Sequence, residues 1–203
     1  MLGNDLVDLG DPETRPSVLH PRFDERVFTP AERESLWCVA DPHRLRWTLW
    51  AAKEAAFKWL RKQDARAIFS PSRLRVDLDS LRVGTVWVDS LALPFSAEQA
   101  EEFVHVVVRS PGCARAAVAT GAEGICGMRS ASEVVRELAK TWVACGLGLS
   151  ASKLHFLRGC KIPRLLSASG IVDVDLSLSH HGRFVAFAGL WLREHRCFWG
   201  VSE

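Results

Sequence analysis

A carboxylate and two amines stand within six residues of one another in Trp50-Ala51-Ala52-Lys53-Glu54-Ala55-Ala56-Phe57-Lys58, in a run of good helix formers. At about 3.6 residues per turn, Trp50, Glu54 and Lys58 follow one another along one face. Glu54 and Lys58 are either an i,i+4 pair on a solvated helix, worth about 0.2–0.5 kcal/mol, or part of a site. Asp5 supplies a second carboxylate, in Gly3-Asn4-Asp5-Leu6-Val7-Asp8-Leu9. Residues 2 to 9 alternate as a strand, with Leu2, Asn4 and Leu6 facing one way and Gly3, Asp5, Val7 and Leu9 the other. A carboxylate facing inward from a core strand is costly unless it is paired or binds a cation; the plain alternative is a turn or cap residue. Mg²⁺ held by one or two carboxylates takes its other ligands from water and substrate phosphates, which makes a diphosphate ester the natural partner. Lys58 would then lie over the phosphate whose bond breaks, with Lys53 pointing elsewhere or supporting the carboxylate. A third stretch, Ser177-Leu178-Ser179-His180-His181-Gly182-Arg183-Phe184, is a polar strand end whose His180 is either structural or a phosphate contact.

These residues need a strand, a helix and a strand end to carry them. Asp11-Pro12 closes the first strand, and a short amphipathic segment runs from about Pro21 to Phe28. Thr29-Pro30-Ala31-Glu32 reads as a capping box with proline at the first helical position, so a helix runs to about Val39. Asp41-Pro42 starts a long helix to about Lys62. From Ser72 the period becomes two: Leu74 to Leu78, Val86 to Val88, Phe103 to Val108 and Ala114 to Thr120 predict an antiparallel meander. Ser96-Ala97-Glu98-Gln99 predicts a short capped helix, and Gly121 to Gly127 a linker. A helix over Ala131 to Cys145, stopped by Gly146, precedes strands near Leu154 to Leu157, Val174 to Ser179 and Arg183 to Trp191, with a short edge strand at Arg196 to Val201. Each half thus runs from a helix into antiparallel strands, as in an internal duplication. The expectation is an α+β fold of two similar lobes, residues 1–122 and 123–203, each a helix packed on an antiparallel sheet.

With 203 residues and 48% hydrophobic content the chain can bury a full core. A formal charge of +2 gives no overall attraction to nucleic acid or an anionic membrane, so anion binding must be local. Cys38, Cys113, Cys126, Cys145, Cys160 and Cys197 show no metal-ligand spacing, and reduced thiols are expected. Asp5 and Asp8 stand where a secretory signal would need positive charge, and the longest apolar run, Phe184 to Leu192, is too short to span a bilayer. The expectation is a cytoplasmic protein, and a monomer if the two lobes complete one site.

Together the three stretches resemble the motifs of the 4′-phosphopantetheinyl transferase superfamily: a Gly-x-Asp strand, a Trp-x-x-Lys-Glu-Ala helix with lysine four residues after the glutamate, and a Ser-x-Ser-His strand end. The segment Arg22 to Glu32 is similar to the one that meets the carrier protein in the short holo-acyl-carrier-protein synthases. The motif order is that of the short synthases, but the length is that of the two-lobed, surfactin-type members. Residues 126 to 192 look like the first lobe of a long member, with Gly159-Cys160-Lys161-Ile162-Pro163 as an interrupted Gly-Lys-Pro motif, and residues 1 to 122 like the second. This implies a circular permutation, with Met1 close to the segment from Trp191 to Val201.

The resemblance implies transfer of 4′-phosphopantetheine from coenzyme A to a serine of an apo acyl or peptidyl carrier protein of fatty acid, polyketide or nonribosomal peptide synthesis. It implies Asp5 and Glu54 as Mg²⁺ ligands and Lys58 on the coenzyme A diphosphate. It puts Lys161, Ser179 and His180 at the nucleotide end, with Arg129 and Arg136 as candidates for a further phosphate contact. Where long members carry a second acid the chain has Val7, while Asp8 keeps the spacing of the short synthases. A non-catalytic coenzyme A-binding homologue and a Mg²⁺-dependent hydrolase of nucleotide diphosphates are the alternatives.

Overall fold

The computed structural model describes residues 1–115, 118–125, 127 and 129–192. Its first strand, β1 (Leu2–Asp8), is followed by the short helix α1 (Phe23–Val27), then α2 (Pro30–Trp37) and the long helix α3 (Pro42–Gln63). The capping box at Thr29 forms, with Thr29 Oγ1 accepting from the Glu32 N–H and the Glu32 side chain accepting from the Thr29 N–H. Strands β2 (Leu74–Ser80), β3 (Val83–Val88), β4 (Leu91–Gln99) and β5 (Phe103–Arg109) form an antiparallel sheet in the order β1-β5-β4-β3-β2. Helix α3 lies across it. Ala51, Ala52, Ala55 and Ala56 are fully buried on its inner face, small enough to bring the helix axis close to the strands.

The second lobe repeats this plan. Strand β6 (Val118–Gly124) pairs with β11 (Phe184–Trp191), which pairs with β10 (Val174–His181); α4 (Ala131–Leu147) covers this sheet. Three very short strands, β7 (His155–Phe156), β8 (Leu165–Ser167) and β9 (Gly170–Ile171), form a small sheet of their own. The fold is therefore α+β, with two lobes that each set a helix on an antiparallel sheet. A small apolar seam of Leu2, Val107 and Ala188, flanked by Val118 and Leu190, joins them.

Several local expectations fail for identifiable reasons, among them a fourth meander strand at Ala114 to Thr120, since β6 pairs with β11 in the other sheet. Ser96 to Gln99 is the end of β4, because cross-strand pairing with Val104 to Val107 and burial of Ala97 outweigh a local capping signal. Pro94 is tolerated there because β4 has a ladder partner only in β3 at that point. Gly121 belongs to β6 and not to a linker: an added Cβ would stand 2.6 Å from the Phe187 ring, so the glycine makes room for an aromatic side chain. The expected boundary at residue 122 lies inside this strand. Helix α4 continues through Gly146, which packs under Trp191, and stops at Gly148, whose φ of 63° is the left-handed cap. The expected strand at Arg196 to Val201 lies outside the described residues. No described helix is long and apolar enough to cross a membrane, and Cys38, Cys113, Cys145 and Cys160 are free thiols.

Candidate active site between the lobes

Gly3, Asp5 and Val7 face α3, and Gly3 sets how close the helix comes. A Cβ at Gly3 would stand 2.1 Å from the Ala55 carbonyl oxygen and 2.8 Å from the Trp59 nitrogen. With no side chain there, the two elements touch, and Asp5 meets the helix two residues further on. Lys58 Nζ donates to Asp5 Oδ1 at 2.7 Å. Glu54 lies one turn back on the same helix face. Burial first, and the Asp5 carboxylate second, push its carboxyl up to about 7, partly opposed by Lys58.

Lys53 is directed away from this cluster. It is fully buried, donates to Glu32 Oε2 at 2.7 Å and to the carbonyls of Pro71 and Leu74, and joins α2 to the start of β2. Asp8, on the opposite face of β1 from Asp5, is also fully buried. Its oxygens accept from the Arg183 side chain at 2.8 and 2.9 Å, from the Arg183 N–H and from the Gly10 N–H. Burial would raise its carboxyl, but these hydrogen bonds and the guanidinium charge hold it down at about 2. Asp8 is thus a clamp between lobes. Gly182 (φ 52°) makes the clamp possible, since a Cβ there would meet Asp8 Oδ2 at 2.5 Å.

Lys58 opens on a cleft of about 540 Å³ between the lobes. Its walls carry Lys58, Arg61 and Lys62 from α3, and Lys161 and Arg164 from the loop between β7 and β8, together with Ser177 and Leu178 of β10. Five cations and no carboxylate line it among the described residues, which is an electrostatic fit for a polyanion. Lys62 is tied from behind, donating to Asp175 Oδ1 at 2.6 Å and to the Leu2 carbonyl at 2.7 Å. Lys161 is exposed in that loop, and His180 is exposed on the same face of β10 as Leu178. Ser179 is buried and turned towards β1, where its Oγ accepts from Asn4 Nδ2 at 2.9 Å. Arg129 and Arg136 line a different cavity, of about 500 Å³, beside α4 with Lys140, His155 and Arg158. Met1 and Leu192 line a third, of about 490 Å³, so the chain start lies beside the end of β11.

The structure thus brings Asp5, Glu54 and Lys58 together, and puts Lys161 in the same cleft as Lys58. Arg61, Lys62 and Arg164 are additions. Lys62 was signalled by spacing, since it continues the series Trp50, Glu54, Lys58 at four-residue intervals. Arg164 follows Pro163 in the loop that carries Lys161 and had no signal of its own. Asp5 and Glu54 offer hard oxygen donors, and the Glu54 carboxyl is raised by burial first and by the Asp5 charge second, a charge that a divalent cation would offset. Among the described residues no group of three or more His, Cys, Asp or Glu side chains is arranged as a metal cluster, so a cation here would draw the rest of its shell from water and substrate.

Comparison with protein-family models agrees with the motifs. The sequence model described as the 4′-phosphopantetheinyl transferase superfamily matches residues 1–117, more than half of the chain and all of Asp5, Glu54 and Lys58. The crystal structure of holo-[acyl-carrier-protein] synthase from Thermotoga maritima is similar at 14% identity, covering 84% of this chain and 83% of that one, with a TM-score of 0.38. No curated protein matches the sequence significantly. On the family match, which spans more than half of the chain, the chain belongs to the 4′-phosphopantetheinyl transferase superfamily.

Proposed function

We propose that the chain transfers 4′-phosphopantetheine from coenzyme A to a serine of an apo acyl or peptidyl carrier protein, as a holo-[acyl-carrier-protein] synthase in the cytoplasm, acting as a monomer whose two lobes share one cleft. The observation that carries this reading is Lys58, which donates to Asp5 on one side and lines the cationic cleft on the other. Asp5 and Glu54 would hold Mg²⁺, which when bound neutralises charge on the diphosphate. The cleft cations Arg61, Lys161 and Arg164 hold the nucleotide end, with His180 at its margin. The adjacency of Met1 and Leu192 supports a circular permutation relative to the surfactin-type members.

In the reaction the carrier serine oxygen forms a bond to the β-phosphorus of coenzyme A. The bond from that phosphorus to the oxygen bridging to the 5′-phosphate breaks, releasing 3′,5′-adenosine bisphosphate. Lys58 steadies the charge that develops on the leaving oxygen. The serine proton passes to the Glu54 carboxylate or a water it holds.

The test is the intact mass of an apo carrier protein after incubation with the chain, coenzyme A and Mg²⁺. A phosphopantetheine-sized gain that disappears with EDTA and with Glu54→Ala supports the reading. Coenzyme A binding without transfer to acyl and peptidyl carrier proteins from the three pathways would favour a binding-only homologue. Phosphopantetheine released without a carrier protein would favour a hydrolase.

A further inference from the structure

Strand β1 lies at the margin of its sheet, with a ladder partner only in β5. Its other edge is closed by side chains of β10 instead of a second ladder. The Leu2 N–H donates to Asp175 Oδ2 at 2.7 Å, the Asn4 N–H to Ser177 Oγ at 2.9 Å, and the Asp8 N–H to His181 Nδ1 at 3.2 Å. Every second residue of β10 from 175 to 181 therefore takes part in the contact with β1.

Asn4 is the centre of this seam. It is wholly buried, and its Nδ2 lies 2.9 Å from both Ser179 Oγ and His105 Nε2. Burial, and then the Lys58 charge, push His105 down to about 3, so its ring is neutral and Nε2 can accept. Ser179 Oγ in turn donates to the Ala186 carbonyl at 3.4 Å. The serine thus has both its proton and an acceptor site in use, is 4% exposed, and presents nothing to the cleft.

We infer that Asn4 and Ser179 are positioning residues: the chain from His105 through Asn4 to Ser179 fixes β1 between the lobes so that Asp5 faces Glu54 and Lys58, and Ser179 acts on the strand and not on a ligand. Asn4 and Asp5 are neighbours on opposite faces, and a one-residue slip of the strand would exchange them. An edge strand closed by one ladder has the freedom to twist, whereas a site of this kind tolerates only about 0.5 Å of displacement. The inference rests on the transferase reading of Asp5, Glu54 and Lys58.

Ser179→Ala, Ser179→Thr and Asn4→Ala are to be compared with the parent chain by calorimetric titration with coenzyme A, turnover of an apo carrier protein, and titration with Mn²⁺ alone followed by electron paramagnetic resonance. In Ser179→Ala, kcat and Mn²⁺ affinity each fall about tenfold while the coenzyme A Kd stays within about twofold. Ser179→Thr, which keeps the hydroxyl, restores both, and Ser179→Ala adds little to Asn4→Ala because the two act as one unit. Should Asn4→Ala not fold, the two Ser179 variants decide alone. A weaker coenzyme A Kd with unchanged kcat makes Ser179 a ligand contact and overturns the inference. A parent chain that transfers nothing while Mn²⁺ still weakens in Ser179→Ala overturns the transferase reading and keeps the positioning role. Equal Mn²⁺ affinity in the parent and Ser179→Ala overturns the positioning role whether or not transfer occurs, as does a parent chain that takes no Mn²⁺.

Discussion

Lys58 donates to Asp5 at 2.7 Å across fifty-three positions of sequence. The amine that would meet a diphosphate is therefore held, in the free chain, by a carboxylate that would hold a cation. The two compete for Asp5. Lys58→Met should bind Mn²⁺ about tenfold more tightly than the parent at pH 8 without coenzyme A, since a positive charge leaves the carboxylate pair. The same variant should lose about a hundredfold or more in transfer. Mn²⁺ titration beside a carrier-protein assay checks both halves, and unchanged Mn²⁺ affinity would show that the amine and the cation do not share Asp5.

Glu54 makes stability depend on pH in a particular direction. Its folded pKa of about 7 lies above the ordinary 4.5, so between those values the folded chain binds more protons than the unfolded one. Stability contributed by the protonated carboxyl is present below pH 4.5 and lost as pH rises through 7. Without divalent cations, Glu54→Gln should have the higher Tm at pH 8, with the gap closing towards pH 5. Thermal unfolding in EDTA at the two pH values measures it.

His105 works in the other sense. Its folded pKa of about 3 lies below the ordinary 6.5, so the folded chain resists protonation and loses stability as pH falls from 6.5 towards 3, at up to about 1.4 kcal/mol per pH unit. In His105→Gln this part of the slope should flatten. Urea unfolding at pH 6.5 and pH 4.5 on both chains gives the difference.

Lys53 and Lys58 lie on the same helix and should fail differently. Lys53→Met leaves the Glu32 carboxylate buried without its cation, a loss of about 3–5 kcal/mol, yet Lys53 touches neither the cleft nor the carboxylate pair. Coenzyme A affinity of the folded fraction should stay within about twofold, because only global stability is altered. Denaturant unfolding and calorimetry on the same preparation separate the two effects.

Gly3→Ala tests whether the close approach of α3 matters for the site. The added methyl falls on the Ala55 carbonyl, so the helix must move, at a cost of about 1–3 kcal/mol. Glu54 and Lys58 move with it, and kcat should fall about a hundredfold. Full activity in this variant would show that the site accommodates a displaced helix.

The cluster of Asp5, Glu54 and Lys58 was legible because each partner obeys one local rule: alternation for the strand, four-residue spacing for the helix. Capping signals at Thr29 and Asp41 likewise mark where α2 and α3 begin, since caps act within one turn. What could not be read were contacts whose cause lies far away in sequence. Asp8 has the type and spacing of a ligand, and only the bidentate contact with Arg183 shows that it is already engaged. Ser179 carries the motif serine, but Asn4, 175 residues away, takes its hydroxyl. Gly121 and Ser96 carried the residue types of a linker and a cap; an aromatic ring and a neighbouring strand overrode them.

The side chains that close the outer edge of β1 also impose an order on synthesis. Leu2 and Asn4 leave the ribosome 173 residues ahead of their partners Asp175 and Ser177. Until then the strand that carries Asp5 has open N–H groups along one side, the kind of edge that recruits other chains. Contacts of such sequence separation also form slowly. The nascent chain is therefore most exposed to aggregation over the interval in which the second lobe is being made, and the site is not fixed until β10 has been added.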